Sequence, residues 1–436
     1  MGTTSPQCRG ASENGGSRTW IFGSPFGTFC FIFVLSFAVR AALLAAWVSN
    51  HEDFYRLGGE IGRVALSLLR GGGFADPYMI PTGPTAHPAP FTPALLALIY
   101  HAFGMTAAAG YVRALAGIAS YSALYALLPW LAGRLGLGAR AGMIAGVAAA
   151  LIPREGLSES IGVGATAQAS LGFALLTIGF LHRWAAQRVS VAGSLLLGVA
   201  CGAAFHLLPP LLLVVLGYLG FEMCWRRTRR QWLLSACVAL GALLACVPWT
   251  WRNYNELHGL CFIRSNFGLE FRIANQPRAD ADIEVSWARL GTLRHPSENL
   301  DEARQVRALG EAEYNRRARN EALAWMEEHP GELLRLSVFR FLHFWCGPLR
   351  YPWLAALFTG VTLLALLGLR RIWPGLETPQ RAAVVIPLAL FPLVYYVVSY
   401  VAHYPAPMGW LLLVLAGAEA DGWFNPPRCP ERPPDR

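Results

Sequence analysis

The stretch GEIGRVALSLLRGGGFADPYMIPTGPTAHPAPFTP, residues 59–93, gathers Glu60, Arg63 and Arg70 into one short segment of an otherwise apolar chain, with His51, Glu52 and Asp53 just before it. A carboxylate can take up a proton, and a guanidinium fork can hold phosphate oxygens at two points. More carboxylates, Glu155 and Glu159, follow Arg154 in REGLSES, and Arg252, Arg264 and Arg272 fall in VPWTWRNYNELHGLCFIRSNFGLEFRIANQP. Lysine is absent, which removes Schiff-base chemistry and the phosphate-loop lysine. The 9 cysteines form no CxxC pair and no zinc spacing, so neither a disulfide framework nor a metal cage is expected. His87, His206, His295 and His329 are not spaced as metal ligands and read as polar loop or helix-end residues.

What positions these groups is a membrane scaffold. Hydrophobic residues make up 54% of the 436 and charged ones 14%, and the apolar residues fall in long blocks, which excludes a soluble fold and implies a multi-span helical protein. The formal charge of +9 comes from arginines between the blocks, where they set topology; nucleic acid is not the expected partner. Apolar blocks at 28–49, 110–132, 141–153, 163–181, 189–205, 207–223, 232–249, 352–369, 382–402 and 405–420 give about ten transmembrane helices. Phe29 to Val48 lacks a cleavage site and reads as a retained anchor. The arginine-bearing connections then share the cytoplasmic side with both termini, and 50–109, 154–162 and 250–351 lie outside. Pro90 to Phe103 and Leu336 to Trp345 read as juxtamembrane helices.

The expected organisation is a cytoplasmic tail (1–27), a transmembrane module (28–249), an extracytoplasmic domain (250–335), a juxtamembrane helix with C-terminal spans (336–420) and a disordered Pro-rich tail (421–436). A short amphipathic helix is predicted from Tyr55 to Arg70, with Ile61, Val64, Ala65 and Leu68 toward the membrane, ended by Gly71 to Gly73. Alternation of Leu269, Phe271 and Ile273 with Glu270 and Arg272 predicts a strand, making the outer domain mixed α/β. Asn299 with Glu302 resembles a capping box opening an amphipathic helix that runs to His329 and stops at Pro330. Its charges, Arg304, Arg307, Arg316, Arg317 and Arg319 among acids, read as a solvated face.

In this order, YRLGGEIGRVALSLLRGGGFADPY with PTGPTAHPAPFTPALLALIYHAFG, REGLSES, VPWTWRNYNELHGLCFIRSNFGLEFRIANQP and GEAEYNRRARNEALAWMEEHPGELLRLSVFRFLHFW resemble outer segments of GT-C class polytopic glycosyltransferases. The likeness is nearest to bacterial members related to glycosyltransferase family 39, the group of protein O-mannosyltransferases and aminoarabinose transferases. It implies an all-α membrane protein, a polytopic helical bundle of GT-C type, that moves a sugar with inversion from a polyprenyl phosphate in the outer leaflet to a lipid, glycan or protein acceptor. The plasma membrane would be its site.

The resemblance also implies a catalytic carboxylate in the first outer loop. That position matches Glu60 best, with Asp53 as the other candidate, whereas solvation of an interfacial helix is the plainer account of Glu60. Glu159 corresponds to a second acidic residue near the acceptor or metal; an ion pair with Arg154 explains it equally. Charge developing on the leaving lipid phosphate calls for arginine. Arg252 with Asn253, Arg264, Arg272 beside Glu270, and Arg63 are candidates, an interfacial anchor next to Trp249 and Trp251 being the rival account of Arg252. Arg40 lies deep in the first span and either lines a donor pocket or snorkels outward, and His403 with Tyr404 stands where relatives carry an Arg-Tyr pair. Some members of the class use a divalent cation and others do not. Two rivals remain: a lipid-linked-sugar flippase or transporter, disfavoured by the lack of an internal repeat, and a polymerase or ligase taking a diphosphate-linked glycan.

Overall fold

The computed structural model describes residues 24–49, 54–56, 58–152, 164–291 and 293–424. The apolar blocks fold as helices: α1 (Pro25–Val48), α2 (Gly59–Leu69), α3 (Phe91–Phe103), α4 (Ala107–Arg134), α5 (Ala139–Leu151), α6 (Ala165–Ala185), α7 (Val191–Phe205), α8 (Leu211–Arg226) and α9 (Arg229–Leu257). The polar segment supplies α10 (Phe267–Ala274), α11 (Ile283–Leu290), α12 (Leu300–Leu309) and α13 (Glu311–Glu328). Then come α14 (Pro330–Cys346), α15 (Pro352–Ile372), α16 (Thr378–Leu390) and α17 (Ala406–Phe424).

Six helices among the described residues are long and apolar enough to cross a membrane: α1, α4, α6, α9, and α15 and α16 with their 3-10 extensions to Gly375 and Tyr396. α3, α5 and α7 are apolar but shorter. Small residues let the helices close up, because backbone can approach backbone where no Cβ intervenes. α7 meets α9 at Gly198, where an added Cβ would lie 2.1 Å from Val238 O, and α5 meets α4 at Gly142, where it would lie 2.2 Å from Leu128 O. The block predicted at 382–402 is helical only as far as Tyr396: α16 tightens into a 3-10 turn at Phe391–Tyr396, and an irregular link carries the chain to α17.

Arg40 is 1% exposed inside this bundle. Its Nη1 donates to Ser36 Oγ (2.9 Å) and Ala150 O (3.1 Å), its Nη2 donates to Ala149 O (3.2 Å), and its guanidinium lies 4.9 Å from the Tyr125 ring. The last carbonyls of a helix lack intrahelical donors, and Arg40 supplies them to α5. Its guanidinium is therefore held inside the bundle and does not snorkel outward.

The polar segment corrects two expectations. Residues 267–274 form a helix, and no strand occurs among the described residues, which carry only two isolated bridges. Three alternating apolar residues cannot separate a period of 2 from one of 3.6. In the helix Leu269 and Ile273 share the buried face, while Gly268 rests on the Asn315 backbone, 1.9 Å from where a Cβ would sit. Asn299 does cap a helix, accepting from Asp301 N and Glu302 N, but that helix ends at Gly310 (φ 79°) and a new one starts. Pro330 occupies the first turn of α14, where a missing N–H costs nothing.

α2 also differs in what its apolar face meets. Ile61, Ala65 and Leu68 pack against Leu96, Ala97 and Tyr100 of α3, not against lipid. The core of the polar segment, Leu269, Ile273, Leu293, Val306 and Tyr314, is completed by Tyr78 from the loop between α2 and α3.

Candidate functional site: a carboxylate held by two imidazoles

Glu60 stands in the first turn of α2, where the exposed backbone N–H groups favour an acid. One oxygen accepts from Ser297 Oγ at 2.7 Å and faces His295 Nε2 at 3.5 Å; the other faces His87 Nε2 at 3.3 Å. The three residues come from α2, the Pro-rich loop and the turn before α12. The carboxylate is half-buried, with 28% of its side chain exposed, whereas the imidazoles of His87 and His295 expose 2% and 13%.

Each imidazole is fixed from behind. The loop between Phe74 and Thr85 folds back on itself, with Asp76 Oδ1 accepting from Thr82 N (2.9 Å) and Gly83 N (2.8 Å). Arg252 straps both arms, its Nη2 donating to Phe74 O and its Nη1 to Thr85 O, each at 2.7 Å. Buried Glu311, at the start of α13, accepts from Thr85 Oγ1, Ala86 N and Ser265 Oγ, tying loop and polar segment together immediately beside His87. Tyr78 OH then meets His87 Nδ1 at 3.0 Å, which aims Nε2 at Glu60. His295 Nδ1 accepts from Ser297 N at 3.1 Å, and its carbonyl accepts from Glu298 N and Asn299 N.

Electrostatics follow from this packing. Burial pushes the Glu60 carboxyl up, but His87, His295 and the Ser297 hydroxyl outweigh it and hold the group below the ordinary carboxylate range. Burial pulls His87 down, yet the Glu60 charge and hydrogen bond raise it overall; for His295 burial wins and the shift is downward. The donor atoms of Glu60, His87 and His295 lie within 4.8 Å of one another, so these three residues could hold a metal ion. The two histidines do lie in loops, and the fold brings them together although they are 208 residues apart in sequence. The shared signal was a His-Pro pair, which holds the histidine backbone extended, but His329 carries it too and sits elsewhere.

No protein-family model matches this chain, and no curated protein matches it. The remaining candidates are therefore sorted by their own contacts. Arg272, 2% exposed, donates to Glu302 Oε2, Tyr314 OH and Arg294 O and is spent inside the polar core. Arg252 is spent on the loop carbonyls and stacks 5.1 Å over Trp249, while buried Asn253 donates to Cys261 O. Both position backbone. Arg63 is half-buried and donates to Pro77 O at 3.2 Å. Arg264 differs: its side chain is exposed, with Nε anchored on His87 O at 2.8 Å. Glu270 accepts from Asn266 Nδ2, and its charge reaches His295 and Tyr404. Tyr404 also senses Arg264 and Glu60, and exposed His403 sits against its ring at 5.0 Å, so the link before α17 borders the same place. Asp53 and Glu159, with His51, Glu52, Arg154 and Glu155, lie outside the described residues.

Proposed function

We propose that the chain is a multi-pass plasma-membrane glycosyltransferase of about ten spans, moving a sugar with inversion from a polyprenyl-phosphate donor to an acceptor hydroxyl on the extracytoplasmic face. The observation that carries this reading is the convergence of three segments distant in sequence on the Glu60 carboxylate, with the exposed Arg264 side chain anchored on His87 O. In the proposed step the acceptor oxygen attacks the anomeric carbon from the face opposite the phosphate. The new C–O bond forms as the bond to the phosphate oxygen breaks. The acceptor proton passes to the Glu60 side, and the electron pair leaves with the polyprenyl phosphate, whose growing charge Arg264 meets.

Arg264 takes the phosphate role because Arg252 and Arg272 have their forks committed to carbonyl and carboxylate groups. Glu270, Tyr404 and His403 would face the sugar. The apolar face of α14, with Leu334, Val338 and Phe341 exposed, suits a helix lying in the membrane boundary, where a lipid carrier is dissolved.

The test uses purified chain in lipid nanodiscs with a panel of radiolabelled polyprenyl-phosphate sugars and lipid, glycan and peptide acceptors. Donor consumption by the parent, reduced about 100-fold or more in Glu60→Gln, supports the reading. No consumption with any pair sinks it, as does chemical labelling that puts an introduced cysteine at position 60 in the cytosol.

A further inference from the structure

We propose that Glu60, His87 and His295 form a binding site for one divalent transition-metal ion of the zinc type. Ligands around a zinc ion at about 2.0–2.1 Å stand roughly 3.3 Å from one another. Glu60 Oε2 already lies 3.3 Å from His87 Nε2 and Glu60 Oε1 3.5 Å from His295 Nε2, and one donor atom from each of the three residues falls within 4.8 Å of the others. A small inward shift of the side chains completes the set. Two imidazoles with one carboxylate suit a borderline cation, whereas magnesium and calcium want oxygen ligands. Three protein ligands leave a fourth position free, and the exposed edge of Glu60 gives it access to solvent.

The surroundings are built as metal-ligating histidines are. Tyr78 OH, 2% exposed as a residue, orients His87 from Nδ1, the outer contact that fixes which nitrogen ligates. Glu311 and Arg252 hold the loop that presents His87. One bond opposes ligation: Ser297 N donates to His295 Nδ1, so binding through Nε2 moves a proton to Nδ1 and turns this amide away. The change is confined to the His295–Ser297 turn. The acidic cluster of Asp280, Asp282 and Glu284 does not compete, because Arg289 pairs with Asp280 and Arg350 with Asp282 and Glu284.

If the glycosyl-transfer reading holds, a hydroxyl bound at the free position would lose its proton more readily. That role rests on the reading; the metal site does not.

The experiment measures metal content of the tag-free full chain in nanodiscs by plasma mass spectrometry, after loading with zinc alone and dialysis. Parent protein is expected to keep about one zinc per chain and Glu60→Gln, His295→Ala and the double variant His87→Ala/His295→Ala less than about a tenth of that, with His329→Ala unchanged. Cobalt in place of zinc should give the visible absorption of a low-coordinate site in the parent alone. Glu60→Gln keeps the shape of the side chain, so it reads the site even where His87→Ala does not fold. A parent chain that retains no stoichiometric zinc, or a double variant that retains the parent's amount, overturns the proposal. Zinc bound by a chain that consumes no donor sinks the transferase reading and leaves the site standing.

Discussion

Two buried glutamates, one near each end of α9, are held in opposite ways. Glu222 is 1% exposed and receives Arg183 Nε at 2.8 and 3.0 Å, with the Gln231 amide on one of the same oxygens; Arg183 Nη1 goes on to Ser194 Oγ. Glu60 is partly open and meets two imidazoles and a hydroxyl. Gln231 and Arg252, which serve the two sites, stand about 30 Å apart along α9 by helical rise, the thickness of a hydrocarbon core. Arginine stays charged and its Nε spans both carboxylate oxygens, so the Glu222 site can only brace α6, α7, α8 and α9. Imidazole can release its proton or take a metal in its place, so the Glu60 site can exchange what it holds.

The contrast can be broken most strongly from the Glu222 side. Arg183→Ala leaves Glu222 buried without its cation and should cost about 3–5 kcal/mol, read as a fall in the thermal midpoint in detergent. Gly198→Leu should follow, at about 1–3 kcal/mol, because its side chain enters the Val238 backbone where α7 meets α9. Arg252→Lys tests the scaffold of the Glu60 site: loss of the two-carbonyl strap should cost about 1–2 kcal/mol and speed hydrogen exchange at residues 74–87, with α6 to α8 unchanged. Glu60→Gln should change stability by less than about 1 kcal/mol while cutting turnover about 100-fold or more; a collapse of the fold instead would make Glu60 a bracing residue like Glu222.

The smallest effect is one of pH. Burial raises Glu302, but the Tyr314 hydroxyl, Arg272 and Arg294 outweigh it and lower its pKa. A depressed carboxyl adds stability above the unfolded value of about 4.3 and loses it as pH falls through the folded value. Acid unfolding of the polar segment, followed by tryptophan fluorescence, should therefore begin below about pH 4.3 and be less steep in Glu302→Gln.

Much of the scaffold was legible in the sequence, because apolar block length, Gly71 after α2 and the Asn299 cap are local signals. The site was legible only in part. Glu60 stood out as a charge in an apolar setting, but its partners were silent: His87 and His295 are distant in sequence and joined only by the fold. The arginines misled for a related reason. Arg40 and Arg252 mainly serve backbone carbonyls far along the chain, and residue type says nothing about which carbonyl lacks a donor. Arg113, 0% exposed and donating to Phe54 O and Tyr55 O, was not singled out for the same reason. Residues 267–274 failed because a helix of 8 residues is too short for its period to be read.

Arg40 has a further consequence during synthesis. The carbonyls of Ala149 and Ala150 leave the ribosome about 5–20 s after Arg40 does, at usual elongation rates. Until then α1 carries a cation whose transfer into hydrocarbon costs about 2.5–3.5 kcal/mol. The newborn segment should therefore linger at the wet seam of the insertion machinery and settle into lipid only when α5 emerges, so that α1 is committed together with a helix about 100 residues behind it.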